Sequence, residues 1–448
     1  MEHAMDLHAK LDRKSALIGV IGLGYVGLPL AVEFGRAGFR VLGFDIDPDK
    51  VRGLHQGESY ISDVPADRVA ALVSAGRFEA TSDFDRLAEP DALCICVPTP
   101  LTVTRDPDLS FVVNTVEEIA RRLRPGQLVV LESTTYPGTT REEVLPRLAA
   151  GGSKACPPAA WRVGSDFFCG FSPERVNPGS VSPPFAQVPR IVSGITPACL
   201  EATKALYDTI VEQTVPVSSP EVAEMAKLLE NIFRAVNISL VNELKVIGLR
   251  MGIDIWEVIE AAATKPYGFM PFYPGPGLGG HCIPIDPFYL SWRARAFEVN
   301  ARFVELAGEI NSQMPEFVVH RTMEALNSQG KALKGSRVLV LGVAYKPDTS
   351  DTRESPAVRI IELLQGAGAE VRYNDPHVSR MPKMRHSSLD MRSVELTEQE
   401  LAGAACVLIV TDHKAYDWQW IVDNASLVVD TRNATRGVSP RPGKVWSA

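Results

Sequence analysis

One stretch of the chain places a cysteine where nucleophilic chemistry is favoured. Residues 277–287 read Gly-Leu-Gly-Gly-His-Cys-Ile-Pro-Ile-Asp-Pro. The glycines give an adaptable backbone before Cys282, and Pro284 suits the first turn of a helix. A helix N-terminus stabilises a thiolate, which is the nucleophilic form of cysteine. Asp286 follows four residues later, and we expect it to face the thiol directly or through a water molecule. The ordinary alternative is a buried structural cysteine.

Two polar residues of a long helical pattern form the second motif. Lys227 and Asn231 are four positions apart, so they share one face of the helix. An ammonium group and an amide that point together can stabilise a developing oxyanion. Such a pair is also common on an ordinary solvated helix surface, so its role depends on the neighbouring motifs.

A glycine-rich turn near the beginning of the chain is typical of dinucleotide binding. Residues 22–27 read Gly-Leu-Gly-Tyr-Val-Gly between a strand pattern and a helix pattern. The glycines permit a tight turn, close approach of a pyrophosphate and close helix packing, while the helix N-terminus favours negative charge. Asp45 ends the next strand, where it can bond a ribose 2′-hydroxyl and would repel a 2′-phosphate. We therefore expect NAD, held by Gly22, Gly24, Tyr25, Val26, Gly27 and Asp45.

Further loops follow predicted strands. Ligands bind outside the carboxyl ends of the strands in open α/β sheets. Residues 97–100, 132–138 and 171–175 are loops of this kind, although a turn or capping role is the ordinary alternative. They contribute Pro98, Thr99, Thr134, Glu174 and Arg175 to the predicted site. The charged loop at 345–355 offers Lys346 and Arg353, which can bind phosphate or a neighbouring cofactor.

Alternating strand and helix patterns must position these residues. Strand patterns occur at 17–22, 40–45, 92–96, 127–131, 167–171 and 190–193, with helical patterns between most of them. Residues 220–251 then predict one helix of about eight turns. A second strand-turn-helix unit begins at residue 336. We expect an α/β protein with two Rossmann-like parallel-sheet domains joined by a long central helix.

Composition excludes several function classes. The net charge of −8 argues against a nucleic-acid-binding surface. Seven scattered cysteines make a disulfide framework unlikely, and their spacing matches no zinc site, so we expect no metal. The apolar residues 16–32 are interrupted by glycines and Pro29, which indicates a strand and a turn rather than a membrane span. No signal-peptide pattern precedes them, and we expect a cytoplasmic location.

The motifs and their order resemble the UDP-glucose/GDP-mannose dehydrogenase family over residues 17–436. The resemblance implies an NAD-binding domain at 1–212, a central helical domain with the cysteine loop at 213–327, and a UDP-sugar-binding domain at 328–448. It also implies oxidation of a sugar primary alcohol to a carboxylate with two NAD+, through a thioester on Cys282. The long helix makes a homodimer or larger homo-oligomer an expectation.

The resemblance also implies roles for individual residues. Cys282 matches the nucleophile, Asp286 its nearby carboxylate, and Lys227 with Asn231 the oxyanion-stabilising pair. Thr134 matches a residue that positions water near the nicotinamide. The expected substrate-binding residues are Glu174, Arg175, Lys227, Asn231, Gly279 and Lys346.

Two of the implied roles concern the later steps and the cofactor. Glu174 matches the base for thioester hydrolysis. Arg353 is expected near the NAD phosphates, in a loop that links two domains.

Several local sequences are similar to one branch of this family, the UDP-N-acetylglucosamine 6-dehydrogenases. They are residues 57–61, 98–102, 173–179 and 281–289. In UDP-glucose dehydrogenases a second acid usually lies four positions after the matched glutamate, where this chain has Pro178. We therefore expect UDP-N-acetylglucosamine as the substrate. UDP-N-acetylmannosamine, UDP-glucose and GDP-mannose remain alternatives, as do a two-electron β-hydroxyacid dehydrogenase and a non-catalytic NAD-binding regulator.

Overall fold

The computed structural model describes residues 2–61, 64–102, 104–151, 161–175, 184–280, 283, 285–382, 389–439, 441 and 443–448. The chain forms two compact units. The N-terminal unit comprises Met1–Glu230 with Phe288–Val299, and the C-terminal unit comprises Asn231–Pro287 with Asn300–Ala448.

An eight-stranded sheet forms the centre of the N-terminal unit. Its strands in chain order are β1 (Leu17–Ile21), β2 (Arg40–Phe44), β3 (Phe78–Thr81), β4 (Ala92–Ile95), β5 (Leu128–Leu131), β6 (Phe168–Phe171), β7 (Arg190–Gly194) and β8 (Thr214–Pro216). The spatial order is β3-β2-β1-β4-β5-β6-β7-β8. Neighbouring strands are parallel except β6 and β7, which are antiparallel. The parallel strands therefore direct their carboxyl ends, and the loops that follow, toward one edge of the sheet.

Helices cover both faces of this sheet. They are α1 (Glu2–Asp12), α2 (Gly27–Arg36), α3 (Pro48–His55), α4 (Ala66–Ser74), α5 (Ser110–Ala120), α6 (Leu145–Ala150) and α7 (Pro197–Tyr207). One apolar core contains buried side chains of α2 and α7, such as Phe34 and Leu206. A second core contains side chains of α5 and α6, such as Val116 and Leu148. Two covered faces explain why the strands are continuous apolar runs.

Helix α8 (Pro220–Met251) spans 32 residues and continues from the N-terminal unit into the C-terminal unit. Its bounds agree with the predicted helix at 220–251. Helices α9 (Ile255–Ala263), α10 (Asp286–Arg295) and α11 (Arg302–Ser328) follow. Among the described residues, none of the helices combines the length and the apolar character that crossing a bilayer requires.

A five-stranded parallel sheet forms the centre of the C-terminal unit. Its strands are β9 (Arg337–Leu341), β10 (Glu370–Asn374), β11 (Cys406–Ile409), β12 (Val428–Asp430) and β13 (Val445–Ser447), in the spatial order β10-β9-β11-β12-β13. Helices α12 (Pro356–Gly366), α13 (Glu398–Gly403) and α14 (Trp418–Asn424) connect them. The predicted fold class, two Rossmann-like parallel sheets with a long central helix, is confirmed.

The differences from the sequence-based prediction are local. Helix α1 was not predicted, because residues 1–15 are polar and mixed in charge, yet Leu7 and Leu11 are buried in the core. The helical residues between 286 and 328 form two helices, α10 and α11, separated by a turn. Helix α6 directly follows a π-helical turn at Thr140–Val144.

Candidate active site

The three glycines of the first turn have three different environments. Gly22 adopts φ +88°, and its N–H donates to the carbonyl of Phe44 at 2.8 Å. A Cβ on Gly27 would lie 1.9 Å from the carbonyl oxygen of Gly22. A Cβ on Gly24 would meet no protein atom within 4 Å. The first glycine makes the turn, the third permits the packing of α2, and the second leaves room for a pyrophosphate.

Asp45 is held in place by backbone N–H groups. Its carboxylate accepts the N–H groups of Leu23 and Asp47, each at 3.0 Å, and it is 7% exposed. Lys50 lies 3.7 Å from the same carboxylate. Each carboxylate oxygen can accept more than one hydrogen bond, so Asp45 can still receive ribose hydroxyls. These residues fit NAD.

Two adjacent loops are joined at the carboxyl ends of β4 and β5. The hydroxyl of Ser133 donates to the carbonyl of Val97 at 2.7 Å. In these loops Thr99 is buried, Pro98 is exposed and Thr134 is half-buried. Thr134 and the Pro98–Thr99 pair therefore lie at the same sheet edge as the glycine turn, where they were predicted to contribute to the cofactor site.

A buried carboxylate of α8 holds the turn after Thr134. Glu224 accepts the N–H of Gly138 at 2.7 Å, and the N–H and hydroxyl of Thr140 at 2.9 and 2.7 Å. Burial raises the pKa of Glu224 to about 7. Glu224 was not among the predicted residues, although it lies three positions before Lys227 and hence on the same helical face.

Glu174 and Arg175 follow β6 and are both half-buried. One oxygen of Glu174 accepts the N–H of Arg175 at 2.7 Å, and the other accepts Nη1 of Arg190 at 2.9 Å. The guanidinium of Arg175 donates to the carbonyl of Pro189 at 2.6 Å and pairs with Glu230 at 2.7 Å. The carboxylate predicted to assist hydrolysis is thus fixed through both of its oxygens.

The predicted oxyanion pair lies on the buried side of α8. Lys227 is 9% exposed and Asn231 is 3% exposed, which excludes the solvated helix surface that was the alternative. The amide of Asn231 donates to a carboxylate oxygen of Asp286 at 2.5 Å. Asp286 is the first residue of α10 and is 2% exposed. Two residues predicted to be catalytic are therefore in direct contact across 55 positions of sequence.

Cys282 lies outside the described residues, as do His281 and Pro284. Its position beside the nicotinamide and its role as the nucleophile therefore stay predictions. Pro178, which distinguishes the chain from UDP-glucose dehydrogenases, also lies outside the described residues.

The glycines before Cys282 pack against the charged loop of the C-terminal unit. The N–H of Gly280 donates to the carbonyl of Arg353 at 3.0 Å. A Cβ on Gly279 would lie 2.6 Å from Cβ of Tyr345, so only glycine fits there. Two motifs that are about 70 residues apart along the chain are thereby brought together.

In the charged loop, Lys346 is half-buried, with its ammonium 5.4 Å from the ring centre of Tyr345. The guanidinium of Arg353 pairs with Asp351 at 2.7 Å. The predicted contact of Arg353 with NAD phosphates stays a prediction.

Gly275 is held from three sides. Its N–H donates to Asn242 at 2.9 Å, and its carbonyl accepts the ammonium of Lys245 at 3.2 Å. A Cβ on Gly275 would lie 2.5 Å from the guanidinium of Arg432. Helix α8 therefore fixes the start of the loop that leads to Cys282. Lys245 also donates to the carbonyl of Ala448 at 3.1 Å.

Asp375 organises the loop that carries Lys346. It accepts the N–H groups of Val343 and Ala344 at 2.7 and 3.1 Å, and it bonds Nε2 of His413 at 3.0 Å. Nδ1 of His413 accepts the N–H of Asp348 at 2.9 Å.

His413, Asp348 and His377 could in principle ligate a metal, since their ligand atoms lie within 4.8 Å of one another. Both ring nitrogens of His413 are already bonded to the protein, however, so hydrogen bonds account for this cluster.

Three polar residues of α8 that the sequence analysis did not select hold neighbouring loops by hydrogen bonds within their own units: Glu224, Asn242 and Lys245. The signal was present in the spacing. Together with Lys227 and Asn231, they recur at intervals of three, four or eleven residues, which is one helical face. All five are buried, so this face is polar and interior.

Comparison with known families identifies the chain. Three models of the UDP-glucose/GDP-mannose dehydrogenase family match it: the NAD binding domain at residues 16–211, the central domain at 221–313 and the UDP binding domain at 339–437. The chain belongs to the UDP-glucose/GDP-mannose dehydrogenase family. It is therefore an NAD-dependent oxidoreductase that acts on a nucleotide sugar, and the predicted family and cofactor are confirmed.

Curated relatives of this dehydrogenase match along nearly their whole length. It is 35% identical to the UDP-N-acetyl-D-glucosamine 6-dehydrogenase of Pseudomonas aeruginosa, covering 92% of this chain and 98% of that one. It is 34% identical to the UDP-N-acetyl-D-mannosamine dehydrogenase of Pyrococcus horikoshii, covering 93% and 95%.

Solved structures show the same fold. The UDP-D-ManNAc dehydrogenase of Pyrococcus horikoshii superposes with a TM-score of 0.86 at 32% identity, covering 96% of this chain and 98% of that one. A UDP-glucose dehydrogenase of Pyrobaculum islandicum superposes with a TM-score of 0.83 at 27% identity, covering 97% of each chain.

Alanine substitutions in the glycine turn are expected to separate folding from cofactor binding. Gly27→Ala forces α2 away from Gly22, so it should lower both the unfolding temperature and the NAD affinity. Gly24→Ala meets no protein atom, so the apoprotein should melt normally while the NAD dissociation constant rises by about tenfold or more, because a methyl group blocks the pyrophosphate. Thermal unfolding without NAD and calorimetric NAD titration measure both effects. Equal NAD affinity in Gly24→Ala and the wild type would contradict this assignment.

Lys245 is expected to make stability depend on alkaline pH. Burial, followed by the charge of Arg432, lowers the pKa of Lys245 from 10.5 to about 7. Between these values the unfolded chain binds the extra proton, so the free energy of unfolding should rise with pH. The rise approaches ~1.4 kcal/mol per pH unit for one proton. Lys245→Met should remove this rise, whereas Lys331→Met, at an exposed lysine, should keep it. Urea unfolding at pH 7 and pH 9.5 measures the free energy of unfolding at each pH. If this free energy changed equally with pH in the wild type and in Lys245→Met, the assignment of the pH dependence to Lys245 would be refuted.

Proposed function

We propose that the protein oxidises the C6 primary alcohol of UDP-N-acetylglucosamine to the uronic acid in a four-electron, NAD-dependent reaction. The observation that carries the proposal is the buried hydrogen bond between Asn231 and Asp286. It sets an amide of α8 against a carboxylate four residues after Cys282. The relative from Pseudomonas aeruginosa and the local sequences of the UDP-N-acetylglucosamine branch support this substrate.

In the proposed mechanism, bound NAD+ supplies the hydride acceptor for two successive oxidations. The C6 hydroxyl loses its proton to Asp286, Lys227 or an ordered water molecule. The thiolate of Cys282 adds to the resulting aldehyde carbon and gives a thiohemiacetal, whose oxidation yields a thioester. Lys227 and Asn231 donate to the oxyanion as it develops. An asparagine amide has two N–H donors, so its bond to Asp286 leaves the capacity for this second one.

Hydrolysis completes the proposed reaction. Thr134 positions a water molecule, and Glu174 accepts a proton from the water that attacks the thioester. Covalent capture keeps the aldehyde on the enzyme between the two oxidations. Cys282 therefore acts in the capture of the aldehyde, and Glu174 acts in the hydrolysis of the thioester.

We infer that the N-terminal Rossmann domain, residues 1–212, holds NAD through the glycine turn, Asp45, Pro98, Thr99 and Thr134, with Arg353 near the phosphates. The central domain at 213–327 carries the catalytic loop, and the domain at 328–448 binds the UDP-sugar. The proposed substrate-binding residues are Glu174, Arg175, Lys227, Asn231, Gly279 and Lys346.

UDP-N-acetylmannosamine is the second candidate substrate. The relative and the solved structure from Pyrococcus horikoshii favour it, since both are named for this sugar.

We also infer a homodimer or larger homo-oligomer in the cytoplasm that supplies a uronic acid for a surface polysaccharide. Exposed apolar side chains of α8 form one stripe at helical spacing: Leu240, Leu244, Ile247 and Met251. A stripe of this kind on a long helix suits burial against another subunit.

A substrate panel with NADH counting tests the proposed function. UDP-N-acetylglucosamine should give the highest kcat/KM among the N-acetyl sugars, UDP-glucose and GDP-mannose, with two NADH per sugar. A preference for UDP-N-acetylmannosamine would move the assignment to the second candidate. One NADH per sugar would indicate a two-electron dehydrogenase, and no NADH with any nucleotide sugar would favour a non-catalytic NAD-binding regulator.

Cys282→Ser should stop the reaction before release of the acid. A serine cannot form the labile thioester, so a covalent or aldehyde-level species should accumulate with little uronate. Intact-protein mass spectrometry and uronate assay measure this result. Cys406→Ala, a change in the buried core of β11, is the matched control and should turn over normally. Full four-electron turnover by Cys282→Ser would remove Cys282 from the mechanism.

A further inference from the structure

A buried arginine joins two carboxylates in the N-terminal unit. Arg190 is the first residue of β7 and its side chain is 4% exposed. Its Nη1 donates to Glu174 at 2.9 Å, and its Nη2 donates to Glu132. Glu132 directly follows β5, and its side chain is fully buried. One guanidinium therefore connects the loops that follow two strands.

The remaining edges of the guanidinium are also occupied. Its Nε donates to the hydroxyl of Ser172 at 2.9 Å, and the ring centre of Tyr207 lies 4.4 Å from its central carbon. The hydroxyl of Tyr207 donates in turn to Glu132. The guanidinium cannot rotate without losing several of these contacts, so its geometry is rigid.

Burial of these charged groups is opposed by their desolvation free energy. Burial raises the pKa of Glu132, and the positive charge of Arg190 opposes that rise. For Arg190 itself burial acts to lower the pKa, but the two carboxylates outweigh it, and the pKa lies well above its ordinary value. Apolar residues of similar volume commonly stabilise a core as well as a buried ion pair does. A role beyond stability therefore accounts better for three ionisable groups at this place.

One end of the network reaches a cavity. Glu174, Arg175 and Arg190 line a small pocket of about 10 Å³, together with Phe185 and Val211. The side chain of Glu174 is 14% exposed, whereas those of Arg190 and Glu132 are 4% and 0% exposed. Glu174 is thus the member of the network that water can approach.

We propose that Arg190 is a positioning residue for Glu174, and that Glu132 anchors Arg190 so that the Glu174 carboxylate is presented to water in one orientation. This inference rests on the proposed function, in which Glu174 accepts a proton during hydrolysis. The water oxygen forms a bond to the acyl carbon, the C–S bond breaks, and the sulfur leaves as the Cys282 thiolate. The water proton passes to Glu174, and the acyl group leaves as the carboxylic acid.

Arg190→Lys tests the proposal because lysine keeps the charge but loses the planar fork. Enzyme mixed with UDP-N-acetylglucosamine and excess NAD+ should still produce a burst of two NADH per active site as the thioester forms. The steady-state rate after the burst should fall on the order of 100-fold, as expected for a misplaced catalytic group. Glu174→Gln should show the same pattern. A purely structural role would reduce the burst and the steady state together.

Arg124→Lys is the matched control. Arg124 also bonds a buried carboxylate, Asp91, at 2.8 Å, but at the amino end of β4 in the same sheet. Its substitution should leave the burst and the steady-state rate unchanged. The proposal is overturned if both phases of Arg190→Lys fall by the same factor, or if neither falls. Wild-type enzyme that makes no NADH from any nucleotide sugar would instead refute the proposed function.

Glu132→Gln provides a second test that does not disturb Arg190 sterically. The glutamine carbonyl can still accept Nη2 of Arg190, and its amide can donate to the oxygen of Tyr207. Because the guanidinium then neutralises Glu174 alone, the acid limb of the steady-state pH profile should move to lower pH by about one unit. The NADH burst should not change. An unmoved acid limb would show that Glu132 does not act on Glu174 through Arg190.

Discussion

The arrangement of the site loops depends on the buried polar face of α8. A polar group removed from water is unfavourable unless it is hydrogen-bonded, so each polar side chain on this face requires a partner at a defined place. Glu224 accepts the backbone N–H groups of Gly138 and Thr140, and Asn231 donates to Asp286. Asn242 accepts the N–H of Gly275, and Lys245 donates to the carbonyl of Gly275. Helix α8 thereby fixes the turn at residues 138–140 within the N-terminal unit, and it fixes Gly275 and Asp286 within the C-terminal unit.

The same requirement explains how charged groups are tolerated in the N-terminal sheet. Short parallel strands with two covered faces leave little room for water, and the side chains that follow them must satisfy one another. Glu132 and Glu174 share Arg190, while Asp91 at the opposite edge bonds Arg124 and the N–H of Leu17. The ionic contacts at the amino ends of the strands stabilise the fold, whereas the predicted site residues lie at the carboxyl ends.

Features with local causes were predictable from the sequence. The bounds of α8 follow from apolar periodicity without an interrupting proline, and the turn at Gly22 with Asp45 follows from the stereochemistry of glycine. The direction of β7 was not predictable, since a strand of five residues carries no information about its orientation. Helix α1 was not predictable either, because its sequence is mostly polar and only a few leucines pack against the core.

Contacts between distant residues were outside the reach of sequence patterns. Lys227, Asn231 and Asp286 were chosen by type and spacing, but the bond from Asn231 to Asp286 exists only after folding. Arg190 was missed because a charged residue at the beginning of an apolar strand is usually exposed to solvent. Lys245 was missed because a lysine on a helix is usually exposed.

The turn after β9 repeats the turn after β1, with a different chemical outcome. Gly342 adopts φ +80°, and its N–H donates to Asn374 at 2.9 Å, as Gly22 does to Phe44. Asp375 stands where Asp45 stands, but it receives five donors, four backbone N–H groups and His413. A carboxylate has about four lone-pair positions, so Asp375 has none left for a ribose. The occupied carboxylate of Asp375 thus withholds from this second turn the acceptor that Asp45 keeps available for a ribose hydroxyl.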